Sequence, residues 1–126
     1  MPQLLIIDDD ATMRDVLYEM MTMEGYSAMT AANGLEALKL LEIHRFDCII
    51  TDIVMPEKEG LETILHIRKH FPDLPVIAMS GGARIKPESY LDLAKQFGAR
   101  YVFPKPFVKK DIVAAIKECL AHPAAG

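Results

Sequence analysis

Short apolar runs alternate five times with longer segments in which apolar residues recur every three to four positions. The apolar runs predict five strands, at Leu4–Ile7, Ser27–Ala31, Cys48–Thr51, Val76–Met79 and Tyr101–Phe103. The segments that follow them predict five helices, at Thr12–Glu24, Leu35–His44, Leu61–His70, Glu88–Phe97 and Lys109–Ala121. Because strands and helices alternate throughout, the pattern predicts an α/β fold in which helices cover both faces of a parallel sheet.

Five βα units of this kind favour a doubly wound sheet with the strand order 2-1-3-4-5. In such sheets ligands bind outside the carboxyl ends of the strands, near the switch between strands 1 and 3. Functional residues are therefore expected at that edge. At the start of the first helix, Thr12 and Asp15 resemble a capping box, and Asp10 is interpreted as a helix cap or a first-turn acid.

Length and composition limit the classes of protein to which the chain can belong. The 126 residues fit one domain, predicted over residues 1–121 and followed by a flexible tail at residues 122–126. The net charge of -4, without clustered Lys and Arg, argues against direct nucleic-acid binding. The apolar runs are too short for membrane insertion, and the N-terminus lacks the features of a signal peptide. We expect a cytoplasmic protein in which Cys48 and Cys119 are buried, reduced thiols.

Polar residues stand where the predicted strands end. Those that follow strands 1, 3, 4 and 5 are Asp8, Asp9, Asp10, Asp52, Ser80 and Lys105. In the predicted order strand 3 lies between strands 1 and 4. Asp52 therefore has carboxylates on one side and a hydroxyl, then an ammonium, on the other.

This set of side chains has a definite chemistry. Carboxylates that lie close together repel each other and either take up protons or recruit a cation, and oxygen ligands suit Mg²⁺. A carboxylate can also act as a nucleophile toward phosphorus and form an aspartyl phosphate. Phosphoryl transfer then needs positive charge and hydrogen-bond donors around the phosphoryl oxygens, which Mg²⁺, Lys105 and Ser80 would supply. The residues predict magnesium-dependent phosphoryl transfer to Asp52.

Four segments, IIDDD, TDIVMPEKEG, AMSGG and VFPKPF, resemble the signature segments of the receiver domain of two-component response regulators. The resemblance covers nearly the whole chain, in the right order, and implies the flavodoxin-like fold of single-domain chemotaxis receivers. It implies that Asp52 accepts a phosphoryl group from a histidine of a sensor histidine kinase or a histidine phosphotransfer protein. The chain would then switch its surface for a downstream protein target.

The resemblance also implies a role for each site residue. It assigns magnesium binding to Asp9, Asp52 and the backbone carbonyl of Val54, with Asp8 acting mostly through water. Ser80 would move toward the phosphoryl group, and Lys105 would form an ion pair with it. A cis peptide bond is implied between Lys105 and Pro106.

One position departs from the receiver pattern. Receivers commonly carry Tyr or Phe three residues before the lysine, where this chain has Val102. Its neighbours Tyr101 and Phe103 should point to the opposite face of the strand, because side chains alternate along a strand. We therefore expect the switch to be read out by displacement of the loop of residues 81–83 and of the helix Glu88–Phe97 rather than by an aromatic ring.

Three other functions were weighed. A flavin-binding electron carrier of similar topology would need backbone amides or hydroxyls for an anionic cofactor, where this chain has three acids after its first strand. An aspartate-dependent phosphohydrolase would need a second acid two residues after Asp52, where Val54 stands. We expect no enzyme activity beyond self-catalysed phosphotransfer and autodephosphorylation. A pseudo-receiver that binds partners without phosphorylation stays the alternative.

The histidines carry less information. His66 and His70 are four residues apart and can share one face of a helix. Without a third ligand nearby in the sequence, this spacing does not by itself predict a metal site. His44 is interpreted as a residue at the end of a helix, and His122 as a residue of the tail.

Overall fold

The computed structural model describes residues 2–53, 59–80, 96 and 98–122, without the side chains of residues 59–61 and 80. Its strands are β1 (Gln3–Ile7), β2 (Ser27–Ala31), β3 (Cys48–Asp52), β4 (Val76–Ser80) and β5 (Tyr101–Pro104). The described helices are α1 (Ala11–Met23), α2 (Gly34–Ile43), α3 (Glu59–His70) and the C-terminal helix α4 (Lys109–Ala121). None of these four has the length and apolar character needed to cross a membrane. The predicted helix Glu88–Phe97 and the predicted tail lie outside the described residues, apart from Gln96 and His122.

All five strands run parallel in one sheet with the order β2-β1-β3-β4-β5, as the alternation of elements predicts. The central strand β3 is buried along its whole length, as expected where helices cover both faces. Pro104 lies on the edge strand β5, where a missing N–H is tolerated. The register aligns Asp52 with Met79 and Ser80 with Pro104. This register brings the polar residues at the strand ends to one edge.

The core has two layers because successive residues of each strand point to opposite faces. Leu4 and Ile6 pack with α1 and α4, whereas Leu5 and Ile7 pack with α2 and α3. All four side chains are fully buried, and each such burial stabilises the fold by roughly 1.5–3 kcal/mol. The helices are thereby fixed against a sheet whose carboxyl edge is left for polar residues.

Helix α1 begins at Ala11, one residue before the predicted start. Oδ1 of Asp10 accepts hydrogen bonds from the backbone N–H groups of Thr12 at 2.9 Å and Met13 at 3.4 Å. The interpretation of Asp10 as a cap is confirmed. The capping box predicted for Thr12 and Asp15 is wrong, because the acid before them already occupies the cap position.

Hydrogen bonds of the capping-box kind are found instead at helix α2. Oδ1 of Asn33 accepts from the backbone N–H of Glu36 at 2.9 Å, and Oε1 of Glu36 accepts from the N–H of Ala32 at 3.0 Å. Two donors at the helix start are satisfied in this way. The predicted helix start at Leu35 is one residue late for this reason.

Both cysteines are buried and free, as the sequence predicts. Cys48 of β3 and Cys119 of α4 belong to the same core layer. A hydrogen bond with Cys119, together with burial, raises the pKa of the Cys48 thiol well above its ordinary value. At neutral pH this thiol is therefore protonated and packs as an apolar side chain.

We predict that Gly98→Ala destabilises the protein more than Gly25→Ala. Both glycines have left-handed backbone, with φ of 83° and 89°, which costs a residue with a Cβ about 1–2 kcal/mol. A Cβ on Gly25 would meet nothing within 4 Å, whereas one on Gly98 would lie 2.8 Å from Cγ and Nε of Arg68. That side chain is fixed by a 3.1 Å hydrogen bond from Nη1 to the carbonyl of Leu74. Urea denaturation of both variants checks this, and equal losses would contradict it.

Candidate functional site

Carboxylates from β1 and β3 meet at the carboxyl edge of the sheet. Asp8 and Asp9 directly follow β1, and Asp52 is the last residue of the neighbouring strand β3. One ligand oxygen from each of the three lies within 4.8 Å of the others. Asp8 and Asp52 are buried and Asp9 is exposed. We call these residues the acid cluster. Asp9 is the member of the acid cluster that is exposed to solvent.

Asp8 is held at both its side chain and its backbone. Its Oδ1 accepts from the backbone N–H of Asp10 at 2.9 Å, and its Oδ2 accepts from Nζ of Lys105 at 2.9 Å. Its carbonyl accepts from Nη1 of Arg14 at 2.7 Å, and its N–H donates to the carbonyl of Ala31 at 3.1 Å. A fully buried carboxylate is costly unless its oxygens are bonded in this way. Asp8 is therefore a fixed anchor of the acid cluster.

Lys105 joins the two buried carboxylates. It follows β5, its bond to Pro106 is cis as the resemblance implies, and its Nζ lies 2.9 Å from Oδ2 of Asp8 and 3.0 Å from Oδ2 of Asp52. Burial taken alone lowers the pKa of Lys105. The hydrogen bonds to Asp8 and Asp52 and the negative charges of these groups outweigh this effect, so that the pKa is raised overall. Lys105 is therefore a permanent cation at neutral pH.

Two of these contacts were missed by the sequence analysis. Lys105 was expected near Asp52, and its equally short contact with Asp8 was not predicted. No role was predicted for Arg14. The available signal was a basic residue near the N-terminus of α1, where the helix dipole disfavours positive charge unless a nearby acceptor compensates.

The remaining predicted site residues are described in part or not at all. Ser80 ends β4, and its backbone is paired in register with Pro104. Its side chain lies outside the described residues, as do Val54 and the loop of residues 81–83. The predicted roles of Ser80 and Val54 stay predictions.

The donor set of the acid cluster fits a hard divalent cation. It consists of carboxylate oxygens only, and Mg²⁺ prefers such ligands while keeping several of its waters. Asp9 can receive an ion from solvent because it is exposed, whereas Asp8 and Asp52 already share an ammonium. The acid cluster therefore offers Mg²⁺ one exposed carboxylate, from Asp9, and two buried ones, from Asp8 and Asp52.

A cavity of about 620 Å³ lies away from the acid cluster. It is lined by residues 41–47, which end α2 and lead to β3, and by residues 71–75, which precede β4. These segments belong to the amino edge of the parallel sheet. The cavity therefore shares no residue with the acid cluster.

We predict that Lys105→Met lowers the free energy of unfolding in chelator-containing buffer. Asp8 and Asp52 would lose their shared ammonium and stay buried close to each other. We expect a loss of about 2 kcal/mol, below the roughly 3–5 kcal/mol of a fully buried pair, because the Lys105 side chain is 17% exposed. Urea denaturation measures the change, and Lys110→Met, at an exposed lysine of α4, is the matched control. Equal stability of the two variants would contradict the prediction.

Known proteins resemble this chain over most of its length. Residues 4–117 match the family described as "Response regulator receiver domain". A relative named "Transcriptional regulatory protein CpxR homolog", from Haemophilus influenzae, is 35% identical over 125 residues, which cover 98% of this chain and 52% of the relative. The chain spans about half the length of the curated relatives it matches.

Solved structures give the same result. The response regulator receiver domain protein (CheY-like) from Methanospirillum hungatei superposes with a TM-score of 0.87 at 29% identity, covering 98% of this chain and 96% of that chain. The response regulator protein TrrA from Thermotoga maritima, in complex with Mg(2+)-BeF, superposes with a TM-score of 0.81 at 32% identity, covering 94% and 98%. The chain therefore belongs to the response regulator receiver domain family, which serves signal transduction in two-component systems.

Proposed function

We propose that Asp52 is a phosphoacceptor that takes a phosphoryl group from a histidine of a sensor histidine kinase or a histidine phosphotransfer protein. The observation that carries this proposal is the position of the Asp52 carboxylate, which lies beside the carboxylates of Asp8 and Asp9 and 3.0 Å from the ammonium of Lys105. A nucleophilic carboxylate beside a fixed cation and a set of cation ligands is what phosphoryl transfer to an acid requires.

In the proposed reaction a carboxylate oxygen of Asp52 attacks the phosphorus atom of phosphohistidine. The new O–P bond forms as the P–N bond breaks, and the leaving electron pair stays on the imidazole nitrogen of the donor. Lys105 then pairs with a phosphoryl oxygen, and Ser80 donates a hydrogen bond to another. When bound, Mg²⁺ supplies further positive charge to the phosphoryl oxygens.

The proposed magnesium ligands are Asp9, Asp52 and the backbone carbonyl of Val54, with Asp8 acting through water. The contacts of Asp8 support the indirect role, because each of its carboxylate oxygens already accepts a hydrogen bond, from Asp10 and from Lys105. Asp9 is exposed and can bind the ion directly.

We propose that this chemistry operates a signalling switch rather than an enzyme that turns over a substrate. We propose that phosphorylation changes the surface recognised by a downstream protein target, in the cytoplasm. Two free, buried cysteines are compatible with that reducing compartment. A pseudo-receiver that works without phosphorylation is the alternative, and the contact between Lys105 and Asp52 favours the phosphorylated switch. We propose that the receiver domain spans residues 1–121.

We predict that acetyl phosphate with Mg²⁺ adds one phosphoryl group to the wild-type protein. Intact mass measurement should show no such adduct in Asp52→Asn, because the amide is not a nucleophile of this kind. Asp73→Asn is the matched control, because Asp73 is an exposed acid in the turn before β4 and should leave the adduct unchanged. Removal of Mg²⁺ by a chelator should suppress it. An adduct that persists in Asp52→Asn, or that never forms in the wild type, refutes the proposal.

We also predict that Tyr101 keeps its place when the switch operates. Tyr101 and Phe103 pack in the core layer of α1 and α4, with ring centroids 6.2 Å apart, whereas Val102 packs in the layer of α2 and α3. Burial, and after it the interaction with Glu118, raises the pKa of the Tyr101 phenol. Crystal structures with and without a phosphoryl mimic provide the measurement. A flip of the Tyr101 ring as the main change would show that an aromatic readout operates after all.

A further inference from the structure

Helix α3 carries two histidines whose rings are in contact. The ring centroids of His66 and His70 lie 4.3 Å apart with an interplanar angle of 39°. The two residues are one helical turn apart on the same face, and both are exposed. We call them the α3 histidine pair. Neither residue belongs to the acid cluster.

The spacing of the two rings suits a single metal ion. An imidazole nitrogen binds Zn²⁺ at about 2.0–2.1 Å, so two nitrogens on one ion lie roughly 3–3.4 Å apart at tetrahedral or square angles. Rings with centroids 4.3 Å apart can bring one nitrogen each to that separation. The backbone of α3 already holds the pair on one face, and little conformational freedom is lost on binding.

The charges around the pair also favour a cation. Both histidines lie in the last two turns of α3, where the helix dipole is negative. Glu62, an exposed acid one turn before His66, adds negative charge on the same side of the helix. The guanidinium of the neighbouring Arg68 is directed away from the histidine rings, because its Nη1 donates a hydrogen bond to the carbonyl of Leu74 at 3.1 Å. Lys69 is the remaining nearby positive charge in the described part of α3, and it is exposed to solvent, which screens it.

The chemistry of the ligands selects the class of ion. Neutral imidazole suits Zn²⁺, Ni²⁺ and Cu²⁺, whereas Mg²⁺ prefers carboxylate, carbonyl and water oxygens. We propose that the α3 histidine pair binds one divalent ion of the zinc, nickel and copper group through two imidazole nitrogens, with water completing the coordination. The bound ion links two successive turns of α3 and stabilises its C-terminal half.

The test is a calorimetric titration of tag-free protein with Ni²⁺ in the presence of excess Mg²⁺, which competes for oxygen ligands. The wild type should bind one Ni²⁺ per chain. His66→Gln and His70→Gln should each weaken the affinity about a hundredfold, because a single imidazole loses the advantage of a second ligand held on the same helix. Addition of Ni²⁺ should raise the Tm of the wild type and leave the Tm of both variants unchanged.

Two controls separate this site from others. His44→Gln removes an exposed histidine at the end of α2 and should leave Ni²⁺ affinity unchanged. Asp52→Asn should also leave it unchanged, so that failure of the proposed phosphoryl transfer and failure of this site are independent results. The proposal is overturned if either single α3 variant binds Ni²⁺ as tightly as the wild type, if His44→Gln weakens binding as much, or if the wild type binds no Ni²⁺.

Discussion

The candidate site depends on one ammonium group held between two buried carboxylates. Nζ of Lys105 lies within 3.0 Å of both Asp8 and Asp52, and these two acids are almost inaccessible to solvent. Two carboxylates that lie as close together as those of Asp8 and Asp52 repel each other, and this repulsion would raise the free energy of the folded state if no cation lay between them. The ammonium therefore allows two strands to end in acids at the same point. Because Lys105 follows the edge strand while the acids belong to central strands, the ion pair also links β5 to the middle of the sheet.

The sheet explains why those acids are buried at all. Strand β3 is buried at each of its five positions, and Asp52 continues the ladder as the residue paired with Met79. The hydrophobic residues before Asp52 leave the carboxylate little freedom to reach water by moving away. Its charge must be balanced where it stands, by Lys105 or by a cation on the acid cluster. Packing of the core thus holds the negative charge of Asp52 in a buried position, where Lys105 or a bound cation has to balance it.

Local patterns in the sequence were sufficient to predict the order of the sheet and the meeting of Asp8, Asp9, Asp52 and Lys105 at one edge. Strand order followed from five βα units, and the opposite orientations of Val102 and Tyr101 followed from alternation along a strand. The bond between Lys105 and Asp8 joins residues 97 positions apart, and no local pattern encodes such a contact. The capping box predicted for Thr12 and Asp15 was wrong for a different reason. Thr12 and Asp10 are both good cap residues, and the backbone path after β1 decides which of them is used.

The acid cluster and the α3 histidine pair use different ligand chemistry on consecutive elements of the chain. Hard carboxylate oxygens at the end of β3 suit Mg²⁺, and imidazole nitrogens on α3 suit ions of the zinc group. On α3 the buried residues Ile64 and Ile67 face the sheet, whereas both histidines are exposed. A cation on the outer face therefore leaves the core contacts of α3 intact. Because Mg²⁺ prefers oxygen ligands to imidazole, an α3 site of the proposed kind would not draw Mg²⁺ away from the acid cluster.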